Sequence, residues 1–236
     1  NRRARVEIKG TTYERKLTRG VPQGGILSPM VWNLAFDDLL NEFTQGPIKI
    51  RGFADDACLL AKGPDPNTLV DIMETALVKA TRWGAKYKLN FNQDKTEVIL
   101  FHKFNKIKCK MKNVRFQGRD ILPSKEVKYL GVYLDQKLNF NSHLHKRAAK
   151  AKALLFAVKH AIGRLWGPSP RWMLWSWTQM IRPMIAYGAV VWAQKTQGKQ
   201  KLLTRLQRLG LLMMTNIIKS TPTSTVELLS GILPQI

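Results

Sequence analysis

Acidic residues are missing from a long part of this 236-residue sequence. Between Asp135 and Glu227 there is no Asp or Glu, whereas the same 91 residues carry 15 Lys and Arg. Protein surfaces usually mix charges of both signs, because mixed charges favour solubility. The whole chain has a formal net charge of +23, and such an excess calls for an anionic partner, most often nucleic acid. We therefore expect an extended phosphate-facing surface in the second half of the chain.

Long apolar runs and a disulfide framework are also lacking. No apolar run reaches the roughly 18 residues of a membrane span, so no membrane partner is expected. The two cysteines, Cys58 and Cys109, lie far apart in the sequence. Because disulfides are rare inside cells, this sparse usage indicates reduced thiols in a cytosolic or nuclear protein.

Helical signals and tryptophan dominate the acid-free stretch. Ser142 and Ser169 are predicted to cap two helices, and Ser224 with Glu227 has the spacing of a capping box. Five tryptophans stand among Leu, Met and Ile, which is more typical of a core than of base-stacking platforms. These are Trp166, Trp172, Trp175, Trp177 and Trp192. The expected organisation is an α/β part up to about Asp135, followed by a basic helical part.

Two adjacent carboxylates, Asp55 and Asp56, stand between strand-like segments. Residues 48–52 alternate apolar and polar side chains, and residues 57–61 form an apolar run typical of a buried strand. The short polar break predicts a tight hairpin with both acids at its tip. Adjacent carboxylates raise each other's pKa unless a cation neutralises them, and Mg²⁺ prefers carboxylate oxygens together with substrate phosphates. The alternative is an ordinary acidic turn.

An unusual loop precedes this hairpin in the sequence. It contains one Pro and three Gly between Gly20 and Gly25, a composition typical of a loop whose backbone approaches another group closely. Ser28 is predicted to cap a helix that has Pro29 in its first turn and runs to about Phe43. A glycine-rich loop before a helix can bind phosphate, although no Walker lysine follows. A purely structural loop is equally consistent with this pattern.

Two further segments complete the α/β part. A predicted helix is followed by a polar turn that contains Lys95 and by a strand at residues 97–101, which would place Asp55, Asp56 and Lys95 on one α/β layer. Lys95 is either a surface lysine or a cation that faces a phosphate leaving group. Residues 126–134 predict a strand, with Gly131 at its centre as the mark of a bulge or a close backbone approach.

Together these motifs resemble a reverse transcriptase of the non-LTR (LINE-like) retrotransposon type, over about residues 15–235. Residues 19–29 resemble the Pro-Gln-Gly motif B, residues 53–56 the metal-binding motif C, residues 89–97 motif D, and residues 129–135 motif E, the primer grip. Tyr187, Gly188 and Trp192 are similar to a tract in the helical region of that family. Group II intron maturases share motifs B and C, but the last two tracts favour the LINE-like type.

The resemblance implies an α+β fold. Residues 1–135 would form a partial fingers and palm region, with an antiparallel sheet, helices on one face, the Asp-Asp hairpin and a primer-grip hairpin. Residues 136–236 would form an all-helical basic thumb and C-terminal extension. The implied activity is RNA-directed DNA polymerisation, in which dNTP is joined to a primer 3′-hydroxyl. The implied partners are an RNA template, a DNA primer, dNTP and the RNA–DNA duplex, in the nucleus and/or a cytoplasmic ribonucleoprotein; no protein partner follows.

The resemblance also implies roles for individual residues. Asp55 and Asp56 would hold two Mg²⁺ ions, with Mn²⁺ as the alternative, and Lys95 would face the pyrophosphate. The template and nucleotide would contact Pro22, Gln23, Gly24, Gly25, Phe53 and Ala54. The primer grip would consist of Leu130, Gly131 and Val132. The duplex would contact Lys146, Arg147, Lys150 and Lys152.

One departure from the family pattern concerns a third carboxylate, which motif A would supply on the N-terminal side of the Pro-Gln-Gly loop. No Asp precedes Asp37, Glu7 lies in no matching context, and Asp37 and Asp38 follow the loop. We therefore expect this chain to be a fragment of a longer polyprotein and to be inactive alone. The alternative function is a non-catalytic, domesticated or degenerate nucleic-acid-binding protein derived from such an element.

Overall fold

The structure is a computed structural model that describes residues 2–102, 111–160, 167–193, 196–215 and 217–233. The chain forms two compact units, Asn1–Lys125 and Glu126–Ile236. Cys109 and Trp166 lie outside the described residues. None of the helices in the described part combines the length and the apolar character that crossing a membrane requires.

The first unit contains two long helices and short strands. Its elements are β1 (Arg2–Ile8), β2 (Thr11–Leu17), α1 (Ser28–Asn41), β3 (Ile48–Phe53), β4 (Asp56–Ala61), α2 (Pro66–Tyr87), a 3₁₀ turn (Gln93–Lys95), β5 (Val98–Ile99), β6 (Val114–Phe116), β7 (Arg119–Ile121) and β8 (Pro123–Ser124). Within the described ranges the strands of both units pair into two-stranded sheets and form no larger sheet. The α+β class predicted from the sequence is confirmed, with small hairpins in place of one continuous antiparallel sheet.

The larger of two hydrophobic clusters in the described part of the first unit lies between α1, α2 and the β3–β4 hairpin. Ile48 and Ile50 alternate with exposed neighbours on β3, as the sequence pattern predicts, and they pack in one cluster with Leu39 and Trp83. The Trp83 indole donates a hydrogen bond of 3.1 Å to the Ala35 carbonyl and so joins α2 to α1. The hairpin that carries the two aspartates therefore rests on a packed helical layer.

The second unit begins with a hairpin and is otherwise helical. Its elements are β9 (Glu126–Tyr129), β10 (Val132–Asp135), α3 (Asn141–His160), α4 (Pro170–Ser176), a π-helical turn (Trp177–Ile181), α5 (Arg182–Ala186), α6 (Ala189–Trp192), α7 (Gln197–Thr215) and α8 (Thr223–Ser230). The unit starts before the boundary predicted at residue 135, because the β9–β10 hairpin packs on α3: the Tyr133 amide donates to His143 Nδ1 at 3.1 Å.

The core of the second unit is apolar and closely packed. Trp177 is fully buried, and its ring lies so close to Gly210 that a Cβ atom there would come within 2.7 Å of it. Trp192 is buried as predicted. The core prediction is wrong for Trp172 and Trp175, which are 62% and 51% exposed and pack edge-to-face on each other, because they lie on the open side of α4.

The predicted helix caps have mixed outcomes. The Ser169 side chain accepts from the Trp172 amide at the start of α4, as predicted. Ser142 is not a cap, because it lies inside α3 and its hydroxyl donates to the Glu126 carboxylate. The Ser224 capping box is also wrong: α8 starts at Thr223, and the Glu227 carboxylate accepts from Gln207 Nε2 at 2.6 Å instead.

Candidate active site

Asp55 and Asp56 lie at the tip of the β3–β4 hairpin. Phe53 pairs with Asp56, so Ala54 and Asp55 form a two-residue turn. Ala54 has a φ of +54°, the left-handed conformation that tight hairpin turns need. Both aspartates are exposed. The predicted hairpin and the position of the two acids in it are therefore found.

The strand that follows the acids differs from its prediction. Ala57 and Leu60 are exposed, whereas Cys58 and Leu59 are half-buried. The expectation of a buried strand at residues 57–61 is wrong. In the described part of the chain, strand β4 pairs only with β3, so the second edge of β4 has no neighbouring strand to cover it. Cys58 is a free thiol, and partial burial raises its pKa.

Helix α1 holds the hairpin tip in place. The Trp32 indole N–H donates a hydrogen bond of 2.8 Å to the Ala54 carbonyl. One turn later, the Phe36 ring lies against Gly52, where a Cβ atom would come within 2.1 Å of it. Only glycine allows this approach, so α1 and β3 fit together directly beneath the aspartates.

The glycine-rich loop is closed by a side chain of the following helix. Ser28 Oγ donates to the Pro22 carbonyl at 2.5 Å, and a Cβ atom on Gly25 would come within 2.6 Å of that hydroxyl. Gly24 has a φ of +82°. The prediction of Ser28 as N-cap is wrong, since Leu27 is the cap residue and the hydroxyl serves the loop. The side chain of Gln23 is exposed beside this closure.

The donor set of the hairpin fits a hard cation. Carboxylate oxygens are the ligands that Mg²⁺ prefers, and Mg²⁺ usually keeps water and substrate oxygens as its other ligands. Two exposed carboxylates on one rigid turn therefore suit it. In the part of the chain that the structure describes, no group of three or more His, Cys, Asp or Glu side chains is placed to hold a metal.

Lys95 is not connected to the β3–β4 hairpin by strand pairing. It ends the 3₁₀ turn after α2, and its side chain is exposed. The strand that follows, β5, pairs with β8 and not with β3 or β4. The shared α/β layer expected from the sequence is therefore not formed by strand pairing. The neighbouring Asp94 carboxylate pairs with Arg119.

The segment expected to form the primer grip is a tight hairpin turn. Tyr129 pairs with Val132, which leaves Leu130 and Gly131 as the turn. The strand predicted over residues 126–134 is two strands, because Leu130 and Gly131 adopt left-handed φ values of +46° and +80° and reverse the chain. The interruption lies at Gly131, as the sequence predicts, and it produces the hairpin that the resemblance implies. Val132 starts β10.

The four basic residues predicted to bind a duplex differ in their environment on α3. Lys146 pairs with the Glu126 carboxylate, and its ammonium lies 4.0 Å from the Tyr133 ring centroid. Arg147 Nη2 donates to the Gly131 carbonyl at 2.8 Å. Lys150 and Lys152 are exposed. Lys146 is exposed as well but is paired with Glu126, and Arg147 is half-buried.

The comparison with known families bears on this site directly. Residues 3–134, which include both hairpins and the glycine-rich loop, match the family described as reverse transcriptase (RNA-dependent DNA polymerase). The chain belongs to this reverse transcriptase family. The resemblance expected from the Pro-Gln-Gly loop and the Asp-Asp hairpin is thereby confirmed.

Similar proteins come from retrotransposable elements. The chain is 27% identical to a 115 kDa protein in type-1 retrotransposable element R1DM of Drosophila melanogaster, over 99% of the chain and 23% of the relative. It is 27% identical to the Pol polyprotein of type-1 element R1 of Bradysia coprophila, over 93% of the chain and 22% of the relative. The RNA-directed DNA polymerase of mobile element jockey of Drosophila funebris is 30% identical, over 53% of the chain and 14% of the relative.

This reverse transcriptase chain spans less than a quarter of the length of those first two relatives. The names of the relatives agree with the non-LTR type expected from the sequence. No solved structure gave a significant match to the chain.

One supporting residue of the reverse transcriptase site was not assigned from the sequence. Trp32 fits the apolar pattern of α1, and that pattern predicts a packed helix residue with no role at the turn. Its hydrogen bond to Ala54 spans 22 positions, and no spacing rule for helices or strands connects such a pair. A helix residue that supports the turn is visible only once the two elements are packed.

Proposed function

We propose that this chain forms the palm and thumb part of an RNA-directed DNA polymerase of a non-LTR retrotransposon. The proposed reaction joins a dNTP to the 3′-hydroxyl of a DNA primer on an RNA template, in the nucleus and/or a cytoplasmic ribonucleoprotein. The observation that carries the proposal is the pair Asp55–Asp56 on a turn fixed by α1, inside the segment that matches the reverse transcriptase family.

The proposed role of Asp55 and Asp56 is to hold two divalent cations, Mg²⁺ or alternatively Mn²⁺. When bound, Mg²⁺ supplies positive charge that offsets the charge of the reacting phosphate and the leaving pyrophosphate. The third carboxylate that this chemistry calls for would come from a segment outside the 236 residues. Trp32 and Gly52 keep the turn, and hence both carboxylates, in a fixed position relative to α1.

The residues around the carboxylates are proposed to orient the reactants. The closed loop at Pro22–Gly25 would bring backbone and the Gln23 side chain to the template and nucleotide, with Phe53 and Ala54 beside them. The exposed ammonium of Lys95 would neutralise a phosphate of the leaving group. The Leu130–Gly131 turn with Val132 would position the primer end.

The helical unit is proposed to hold the RNA–DNA duplex through its phosphates. Phosphate contacts position a duplex without reading its sequence. The exposed cations Lys150 and Lys152 on α3, in a stretch without acids, suit this role. The proposal predicts binding that weakens steeply with salt, because each phosphate contact releases counterions.

A primer-extension assay tests this proposal. The 236-residue chain is expected to bind an RNA–DNA duplex and to add no nucleotide in Mg²⁺, because two carboxylates do not complete the cation site. A longer polypeptide, produced with the upstream coding sequence, is expected to extend the primer and to lose that activity when a chelator removes Mg²⁺.

Each outcome of the assay separates the alternatives. Extension by the 236 residues alone would contradict the location of the third carboxylate. Tight duplex binding by the longer polypeptide without any extension would contradict polymerase activity and favour the non-catalytic nucleic-acid-binding protein.

A further inference from the structure

The turn between β9 and β10 has a conformation that its sequence alone does not favour. Leu130 has a φ of +46°, and a non-glycine residue in this left-handed region crowds its own Cβ against the backbone. Gly131, with a φ of +80°, adopts the same region freely. A turn with one strained member persists when surrounding contacts hold it.

Two side chains of the helical unit bind the carbonyl groups of this turn. The Tyr187 hydroxyl donates to the Leu130 carbonyl at 2.8 Å. Arg147 Nη2 donates to the Gly131 carbonyl, also at 2.8 Å. The Arg147 guanidinium in addition lies 5.0 Å from the Tyr187 ring centroid, a cation–π arrangement. Both carbonyls of the turn are thus fixed from the same side.

Two glycines allow this close approach, one on each side. A Cβ atom on Gly131 would lie 3.0 Å from Tyr187 Cε1, and a Cβ atom on Gly188 would lie 2.9 Å from Val132 Cγ2. Gly188 also has a φ of +70°. The Tyr187 ring therefore packs over one glycine, while Val132 packs over the other.

The position of Tyr187 is itself fixed by the core. The Trp192 indole N–H donates to the Tyr187 carbonyl at 2.9 Å, and Trp192 is buried. The His143 ring lies 5.9 Å from that of Trp192 and accepts from the Tyr133 amide on β10. The contacts thus run from the buried core through Tyr187 to the turn.

We infer that Tyr187 and Arg147 are positioning residues that hold the Leu130–Gly131 turn against the primer end. This inference rests on the proposed function, which assigns the turn to the primer. It gives Arg147 a different role from the duplex contact expected from the sequence, because its guanidinium donates inward to the turn. A small displacement of a positioned reactant slows chemistry more than it weakens binding.

The test compares Tyr187→Phe, which keeps the ring over Gly131 and removes only the hydroxyl, with Val226→Ala. Val226 is fully buried in the same core and serves as a control for general destabilisation. In the longer polymerase, Tyr187→Phe is expected to lower the single-turnover rate of nucleotide addition roughly three- to tenfold, the range of one lost hydrogen bond. The Kd for primer–template is expected to change less than about twofold.

A second measurement needs no catalysis. Hydrogen exchange of the 236-residue chain is expected to accelerate at residues 129–133 in Tyr187→Phe, and not in Val226→Ala, because only the first variant releases the turn. Arg147→Lys is expected to give the same local effect, since a lysine does not reproduce the guanidinium geometry.

The outcomes distinguish this inference from the proposed function. A Tyr187→Phe polymerase that adds nucleotides at the unmodified rate, or a turn whose exchange is unchanged, would overturn the inference alone. An equal loss of rate in Val226→Ala would also overturn it, because general destabilisation would then account for the effect. Absence of extension by the unmodified polymerase would instead overturn the proposed function.

Discussion

The Trp32 indole donates a hydrogen bond of 2.8 Å to the Ala54 carbonyl, the residue immediately before the aspartate pair. Trp32 lies in the first half of α1, directly after the glycine-rich loop. Its ring also stacks on Phe36, with ring centroids 5.8 Å apart. One helix thus fixes the loop through Ser28 and the turn through Trp32, so the two motifs have a shared support.

We predict that Trp32→Phe raises the Mg²⁺ concentration that the longer polymerase needs for primer extension. A phenyl ring keeps the apolar contact with Phe36 but removes the N–H donor, so the Ala54–Asp55 turn becomes less fixed. The Mg²⁺ concentration for half-maximal extension is expected to rise severalfold, in line with one lost hydrogen bond. Trp172→Phe, at an exposed position of the helical unit, is the control. An unchanged Mg²⁺ titration in Trp32→Phe would show that the indole does not support the site.

Two glycines on the same helix, α7, are predicted to respond in opposite directions to alanine. Gly210→Ala places a Cβ atom 2.7 Å from the buried Trp177 ring, and such overpacking costs about 1–3 kcal/mol. Nothing lies within 4 Å of the corresponding atom on Gly198, so Gly198→Ala is expected to stabilise by up to about 1 kcal/mol through helix propensity. Urea unfolding of both variants measures the difference. Equal effects of the two substitutions would contradict the close packing at Trp177.

The exposed lysines of α3 are predicted to contribute to duplex binding. Lys150→Ala and Lys152→Ala should each weaken RNA–DNA binding and reduce the slope of log K against log salt by about 1. Lys86→Ala removes the same charge from a side chain already paired with Asp38 at 2.8 Å, which makes it the matched control. Binding isotherms at several salt concentrations provide the slopes. A slope that changes equally in all three variants would indicate a net-charge effect without specific contacts.

His143 is predicted to make stability depend on pH below neutrality. Burial, and next the positive charge of Arg147, lower the pKa of His143 below its ordinary value near 6.5. The unfolded chain therefore takes up a proton that the folded chain does not, and stability falls as the pH drops below about 6.5. Hydrogen bonds from Lys146 and Ser142 lower the pKa of Glu126, so the contribution of that carboxylate is lost only at lower pH, below about 4.5.

Thermal unfolding between about pH 7 and pH 5 isolates the histidine. His143→Asn keeps an acceptor for the Tyr133 amide but does not titrate, so its Tm should change less over this range. Protonation of the other acidic and histidine side chains as the pH falls affects the unmodified protein and the His143→Asn variant alike. An identical decline of Tm in the variant would rule out His143 as the source.

Several features of the fold were predictable because they depend on neighbouring residues. The Ala54–Asp55 turn between two strands, the amphipathic α2 and the Ser169 cap all follow from local spacing and local hydrogen bonding. The family resemblance followed likewise from short motifs in order along the chain.

Features that depend on distant partners were not predictable. The Ser28 and Ser142 hydroxyls match a capping pattern, in which they would accept from a helix amide, yet each donates to a group outside its helix, the Pro22 carbonyl and the Glu126 carboxylate. Residues 126–134 have the composition of one strand, whereas the structure has a turn there whose Leu130 carbonyl accepts a hydrogen bond from Tyr187, 57 positions later. Local propensity decides an element only where tertiary contacts do not compete with it.

Substitution of the hairpin carboxylates tests the central proposal most directly. In the longer polymerase, Asp55→Asn and Asp56→Asn are each expected to lower the single-turnover rate of nucleotide addition on an RNA template at least about a hundredfold, since a ligand of the catalytic cations is lost. Asp37→Asn, an exposed position on α1, removes the same charge and should leave the rate within about twofold. Rates for Asp55→Asn and Asp56→Asn that match the rate for Asp37→Asn would contradict the assignment of this turn as the metal-binding site.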